Sequence, residues 1–204
     1  MGQTLSAVTR IGATLSSTAL TASNCIDNDI NSVCSSTTSV DTPWLSVQLP
    51  LGATVGYVVF YHRPDCESLG GCSQFATPAQ IWVSNALGDH NSATSTACGL
   101  ASQNFTDGVY NITAPEAGYF GFRCGDPLNG SPLAGSYVTL VLPGPGRTLS
   151  LAELVIVAAP TNAIGTAAKF VGPTSVAFSP NDAFLFVGDG HRYGRVRQIF
   201  LRGR

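Results

Sequence analysis

The sequence predicts an all-β protein built as a two-layer β-sandwich, with a short C-terminal β appendage. Three observations carry this. Short apolar runs with strand-type alternation recur between turn clusters, and no segment sustains a helical period. Strong helix formers are scarce among the polar residues: charged residues make up 11% of the chain and Lys occurs once, at Lys169. The six cysteines, Cys25, Cys34, Cys66, Cys72, Cys98 and Cys124, are even in number and lack the close pairs of a zinc site. They read as disulfides, which implies an oxidising compartment.

Taken in order, the first twenty residues contain no continuous apolar run, so neither a secretory signal nor a membrane span is read there. They match the M-G-x-x-x-S myristoylation pattern at Gly2 and Ser6. A lipidated cytosolic protein conflicts with disulfide cysteines, so the match is read as chance and the chain as a piece of a longer one. Strands are predicted over 44–49, 55–61, 80–84, 119–124, 137–142 and 151–157. Between them lie hydroxyl runs and the Leu69-Gly70-Gly71 and Pro143-Gly144-Pro145-Gly146 stretches, which are loop chemistry. Six or more short strands with long loops fit a sandwich or jelly roll. The domain is placed over residues 1–158, with 159–204 as a linker and a remnant of something else.

Charge divides the same way. Up to Pro160 there are four Arg against ten acidic residues; from Thr161 there are five Arg and Lys169 against two Asp. The basic residues Arg192, Arg195, Arg197, Arg202 and Arg204 show strand-like alternation and no recognition motif, so they read as a solvated strand face and no nucleic-acid partner is expected. Three N-x-S/T sequons, at Asn104, Asn111 and Asn129, point to glycosylation and agree with an extracellular or cell-surface setting. There is no G-x-S-x-G, H-E-x-x-H or P-loop, and no plausible carboxylate pair, so an enzyme is not expected.

Five blocks in order, SNCIDNDINSVCSST (23–37), PWLSVQL (43–49), HRPDC (62–66), GSYVTLVLPG (135–144) and LSLAELVIV (149–157), resemble the F-type lectin (fucolectin) pattern. That family belongs to the discoidin group, which includes the C-type domains of coagulation factors. The resemblance covers most of residues 5–158 and implies a discoidin-like jelly-roll β-sandwich, galactose-binding-domain-like. It also implies a calcium ion held by Asn24, Asp27 and Asp29 from the N-x-x-D-x-N loop and by Glu153 on the last strand. Hard oxygen ligands of this kind suit calcium. Read from the residues alone, the same loop is also a self-capping Asx-rich turn. An EF-hand is rejected, because its glycine position holds Ser32 and its terminal glutamate position holds Thr38.

In that family a His and two Arg grip fucose. Arg63 and Asp65 keep the R-x-D motif, whereas the His position holds Ser36 and the second Arg position Gly70. The ligand is therefore expected to have diverged from fucose, with Ser36, Arg63 and Asp65 as the candidate ligand-binding residues. A salt bridge to Asp65 is the plain alternative role for Arg63. Tyr61 or Phe75 is available to stack on a sugar face, with core packing as the competing expectation for both. The family pairing is kept by Cys98 and Cys124. The usual partner of Cys34 is missing, which leaves Cys25 to replace it, and Cys66–Cys72 would tie the loop beside the binding face.

Residues 172–199 resemble one NHL-type β-propeller repeat: P-T-S-V-A-F-S-P, an apolar strand ending in Asp189, then R-V-R-Q-I. One blade cannot complete a propeller core, so up to three short strands are expected there. The function expected for the whole is a carbohydrate-binding or adhesive module of a larger extracellular or cell-surface protein. Its partner would be a glycan or a cell-surface or matrix glycoprotein, and a protein-interaction or matrix scaffold without sugar binding is the alternative.

Overall fold

Alternating apolar positions set the layers. The computed structural model describes residues 7–98, 118–125, 132–158, 173–178, 184–189 and 195–200. They fall into two compact units, one within 7–158 and one within 173–200. In the first, one antiparallel sheet consists of β1 (Gly12–Leu15), β3 (Trp44–Gln48), β9 (Tyr137–Val141), β5 (Gln80–Ser84) and β6 (Thr96–Ala97), side by side in that order. A second sheet has the order β11 (Glu153–Ala158), β4 (Thr54–Tyr61), β7 (Tyr119–Arg123), with β8 (Leu133–Ala134) pairing the start of β4. A two-stranded piece, β2 (Cys34–Ser35) with β10 (Ser150–Leu151), completes this unit.

Register explains the core. Leu45, Leu140 and Ile81 lie in one row across the first sheet and Val47, Val138 and Val83 in the next, all buried. From the second sheet Phe60 pairs with Leu154 and Val58 with Ile156, again all buried. Facing rows of branched apolar side chains are what sheet-on-sheet packing requires. The outer face of the first sheet is covered too. Ser46 and Thr139 are buried there with their hydroxyls 3.0 Å apart, and the Gly88 N–H donates to Ser46 Oγ. Gly88 has φ +69°, and a Cβ there would fall 2.7 Å from the Trp44 ring, so a loop lies flat on Trp44 only because this residue is glycine.

Besides adding the two-residue strands β2, β6 and β8, the structure differs from the sequence expectation at two places. The predicted strand 151–157 is two strands: Leu151 pairs with Cys34, and Glu153 onward pairs with β4. The corner is Ala152, whose N–H donates to the Tyr61 carbonyl. Residues 12–15, with no apolar alternation of their own, form β1 through pairing with β3.

All three expected disulfides form: Cys98–Cys124, the family pairing, and Cys25–Cys34 and Cys66–Cys72, which depart from the family pattern. Cys98–Cys124 joins the layers, since the Cys98 N–H bonds to Ile81 in β5 and the Cys124 N–H bonds to Gly56 in β4. Its cysteines are 26 positions apart, and loop-closure entropy then gives about 3.5 kcal/mol. Replacing both by alanine is expected to lower stability by about that amount, read as a lower urea midpoint. A loss below about 1 kcal/mol would mean that the two sheets are held without it.

The second unit contains β12 (Pro173–Phe178), β13 (Phe184–Asp189) and β14 (Arg195–Phe200), an antiparallel meander in that order. The sequons at Asn104, Asn111 and Asn129 lie outside the described residues. Among the described residues no helix is long and apolar enough to cross a membrane.

Candidate functional site

One end of the second sheet gathers the loops. Where β4 ends, Tyr61, His62, Arg63 and Pro64 run into a 3-10 turn, Cys66–Leu69, closed by the Cys66–Cys72 disulfide. Opposite stands the loop tied by Cys25–Cys34. Between them is a cleft of about 270 Å³ lined by Ile30 and Asn31, by Tyr61 to Pro64, by Cys66 and Glu67, and by Gly118. Across its sheet side, Glu153, Tyr61 and Tyr119 are register partners on three adjacent strands. Tyr119 is 66% exposed, and its ring lies 5.5 Å from that of Tyr61 at a 39° tilt. The two rings make an aromatic ledge beside the cleft, which is lined by Tyr61 and by Gly118, the residue before Tyr119. His62 is buried beneath, edge-on to Phe60, and its backbone N–H bonds to Gly118.

Arg63 is fixed from three sides. Its Nε and Nη2 donate to the two carboxylate oxygens of Asp65 at 2.6 and 2.8 Å, its Nη1 donates to Ser150 Oγ at 3.1 Å, and it stacks over Phe75 at 5.1 Å. The forked pair with Asp65 is thus present, and the guanidinium plane is pre-oriented with donors left for a ligand. The hydrogen bond from Arg63 holds the Asp65 carboxyl below the usual carboxylate range. The pair therefore persists above that range and is lost as pH falls through the lowered value. Asp65 is exposed, so this matters for the aim of Arg63 more than for stability. Phe75 serves as the floor under Arg63.

One candidate residue is placed otherwise than expected, and one departure from the family pattern finds its reason. Ser36 is 1% exposed; its hydroxyl accepts the Leu149 N–H at 2.9 Å and donates to the Thr37 carbonyl, so it belongs to the packing beside β10. Position 70, where the family has its second arginine, is a left-handed residue (φ +98°) ending the 3-10 turn. Glycine suits that backbone and a long side chain does not. Sequence reasoning missed Tyr119, which an apolar strand start had assigned simply to a strand.

The residues implied as calcium ligands are brought together only in part. Ser32 Oγ lies 2.9 Å from the Asn24 carbonyl, 2.8 Å from Asp27 Oδ2 and 3.0 Å from the Asp29 carbonyl. A hydroxyl has one hydrogen, so at most one of these three oxygen contacts can be a hydrogen bond it donates. Crowded oxygens without protons between them fit a hard cation, with Asn24 and Asp29 offering carbonyls, Asp27 a carboxylate and Ser32 a hydroxyl. The side chains of Asn24 and Asp29 are used within the loop, on Val33 and on Asn31. Glu153 reaches the loop but is committed: Arg10 Nη1 and the Asn28 N–H occupy its two oxygens. Accordingly, among the described residues no three carboxylate, histidine or cysteine side chains converge as a metal group.

No family model matches this chain, and no curated protein does. Solved structures do. A CBM32 module from Clostridium perfringens in complex with GalNAc-β-1,3-galactose superposes with a TM-score of 0.53 at 17% identity, over 74% of this chain and 99% of that one. The fold is the discoidin-like sandwich of such modules. A point mutant of chitosan-binding module 1 from a Paenibacillus sp. IK-5 chitosanase/glucanase gives 0.52 at 20% identity, over 74% and 95% of the two chains. A Streptococcus pneumoniae fucose binding module gives 0.51 at 20% identity, over 75% and 96%.

Proposed function

We propose that residues 5–159 are a non-catalytic glycan-recognition module of a larger extracellular or cell-surface protein, and that the cleft beside Tyr61, Arg63 and Tyr119 is its sugar site. The observation that carries this is the exposed Tyr119 ring, set against Tyr61 beside a guanidinium already fixed by Asp65. A pyranose has an apolar C–H face and a rim of hydroxyls, which an aromatic ledge next to planar donors matches. The cleft is small, about 270 Å³, in keeping with one terminal ring. The structural neighbours' ligands, a galactose-type disaccharide, chitosan and fucose, support the class of ligand.

Fucose itself is disfavoured by the buried Ser36 and by Gly70. Arg63 is neutralised by Asp65 while Glu67 also lines the cleft, so neutral or amine-bearing sugars suit it better than acidic ones. Calcium is proposed as a structural ion of the 24–32 loop. The three disulfides support passage through an oxidising compartment, and with it an extracellular setting. The C-terminal meander is read as one propeller-type repeat, on its three consecutive antiparallel strands.

A glycan array in calcium-replete buffer tests the reading. Binding to neutral or amino sugars that Tyr119→Ala abolishes is the expected result. Absence of binding to every glycan would overturn it and leave the matrix-scaffold alternative.

A further inference from the structure

A cation already sits against the loop that resembles a calcium site. Arg10 lies just before β1, 143 positions from Glu153, yet the two form an ion pair with side-chain exposures of 7% and 3%. Arg10 Nη1 also donates to the Leu154 carbonyl at 2.8 Å, and Nη2 donates to Asn28 Oδ1 at 2.5 Å. The Asn28 N–H closes the ring by donating to the second Glu153 oxygen at 2.9 Å, with Asn28 in a left-handed conformation (φ +68°). Asn28 sits between Asp27 and Asp29, whose oxygens crowd Ser32 Oγ. Three distant parts of the chain are thereby fastened at one point: the segment before β1, the 24–33 loop and β11. A divalent ion cross-linking loop and strand would join two of the same parts.

We propose that Arg10 is the resident cation of the Glu153 carboxylate, holding it out of the calcium shell and fastening the loop to β11 without metal. The inference rests on the calcium reading of the loop and says what that reading leaves for the metal to do. A guanidinium is always charged and matches a carboxylate geometrically. A calcium ion sharing Glu153 would have to displace it or sit against it. With Glu153 committed, the ion is left with one carboxylate, Asp27, plus carbonyls and a hydroxyl. Calcium affinity follows ligand charge and site rigidity, and such a site belongs to the weak extracellular range, Kd about 10⁻⁴–10⁻³ M.

Calorimetric calcium titration and thermal melting, each with and without chelator, test this on the whole chain. The wild type is expected to bind weakly, so calcium at a concentration near its Kd raises the midpoint by no more than about 2 °C over chelator. Arg10→Met frees Glu153: its metal-free midpoint falls, calcium restores it, and calcium binds at least about tenfold tighter. Glu153→Gln is the second variant, chosen because it keeps an acceptor for Arg10. Its calcium affinity is expected to stay within about threefold of wild type, whereas a tenfold loss would show that Glu153 is a ligand and overturn the inference. Equal calcium affinity in wild type and a folded Arg10→Met would also overturn it. If the wild type binds no calcium at 10 mM, the calcium reading of the loop fails by itself. Gain of binding in Arg10→Met then still supports the role of Arg10, and no gain overturns it.

Discussion

Replacing Phe60 by alanine is expected to lower stability by about 3–5 kcal/mol, a large part of the roughly 5–15 kcal/mol that holds a domain of this size together. Phe60 is fully buried on β4, the middle strand between β11 and β7, and its register partner on β11 is the buried Leu154. Neither neighbour can collapse into the space, because both are fixed by ladder hydrogen bonds, so the cavity remains. Val59, one position earlier, points to the other face and is only half-buried. Val59→Ala is expected to cost about 1 kcal/mol or less. Urea unfolding of the two variants separates them, and equal losses would contradict the in-and-out assignment of β4. Phe60 also supports the edge of the His62 ring, whose backbone anchors Gly118 at the cleft. Ligand affinity should therefore fall in Phe60→Ala before the domain unfolds, in step with loosening of that wall.

The strands that were legible in the sequence are those whose burial is decided by their own alternation. The segment 55–61 is the clearest: Val58 and Phe60 turn inward, while Tyr57, Val59 and Tyr61 are half-buried on the other face. What escaped was set by partners far along the chain. β1 has the sequence GATL and becomes a strand by lying against β3. β2, β6 and β8 have two residues each, too few to show a period. The break at Ala152 is marked only by a one-residue slip, from buried Leu149 and Leu151 to buried Leu154 and Ile156, where the chain changes partner from β2 to β4.

The candidate site divides along the same line. The R-x-D spacing places Arg63 and Asp65 within one turn of chain, and the fork between them followed. The N-x-x-D-x-N spacing likewise brought the Asn24, Asp27 and Asp29 oxygens together, although the hub proved to be Ser32, the residue whose presence had argued against an EF-hand. Arg10 left no local trace, because its partner is 143 positions away. Its one signal was rarity, as one of only four arginines before Pro160. Ser36 misled, because a hydroxyl in place of a histidine reads as polar and available, while the fold used it to satisfy the Leu149 N–H.

The largest effect on binding is expected at Tyr119. Tyr119→Ala should weaken glycan affinity by roughly 30-fold or more, the scale of a central aromatic contact worth about 2 kcal/mol. Stability should change little, since the side chain is 66% exposed and its described ring contact is Tyr61. Tyr119→Phe keeps the ring and should keep most of the affinity. This pattern separates stacking from a hydroxyl contact, which the phenylalanine variant would lose as fully as the alanine one. Opening the Cys66–Cys72 loop with paired serines offers a second check on the same cleft. That loop is short, with cysteines six positions apart, so its entropy contribution is smaller than that of Cys98–Cys124. It nevertheless carries Glu67 at the cleft and follows directly from Arg63 and Asp65. Loss of the bond should therefore weaken binding more than it weakens folding, because a recognition surface that must first be ordered binds less tightly. Calorimetry with an array-identified glycan reads all three variants. Unchanged affinity in Tyr119→Ala, in a chain that still binds that glycan, would move the sugar site off this cleft.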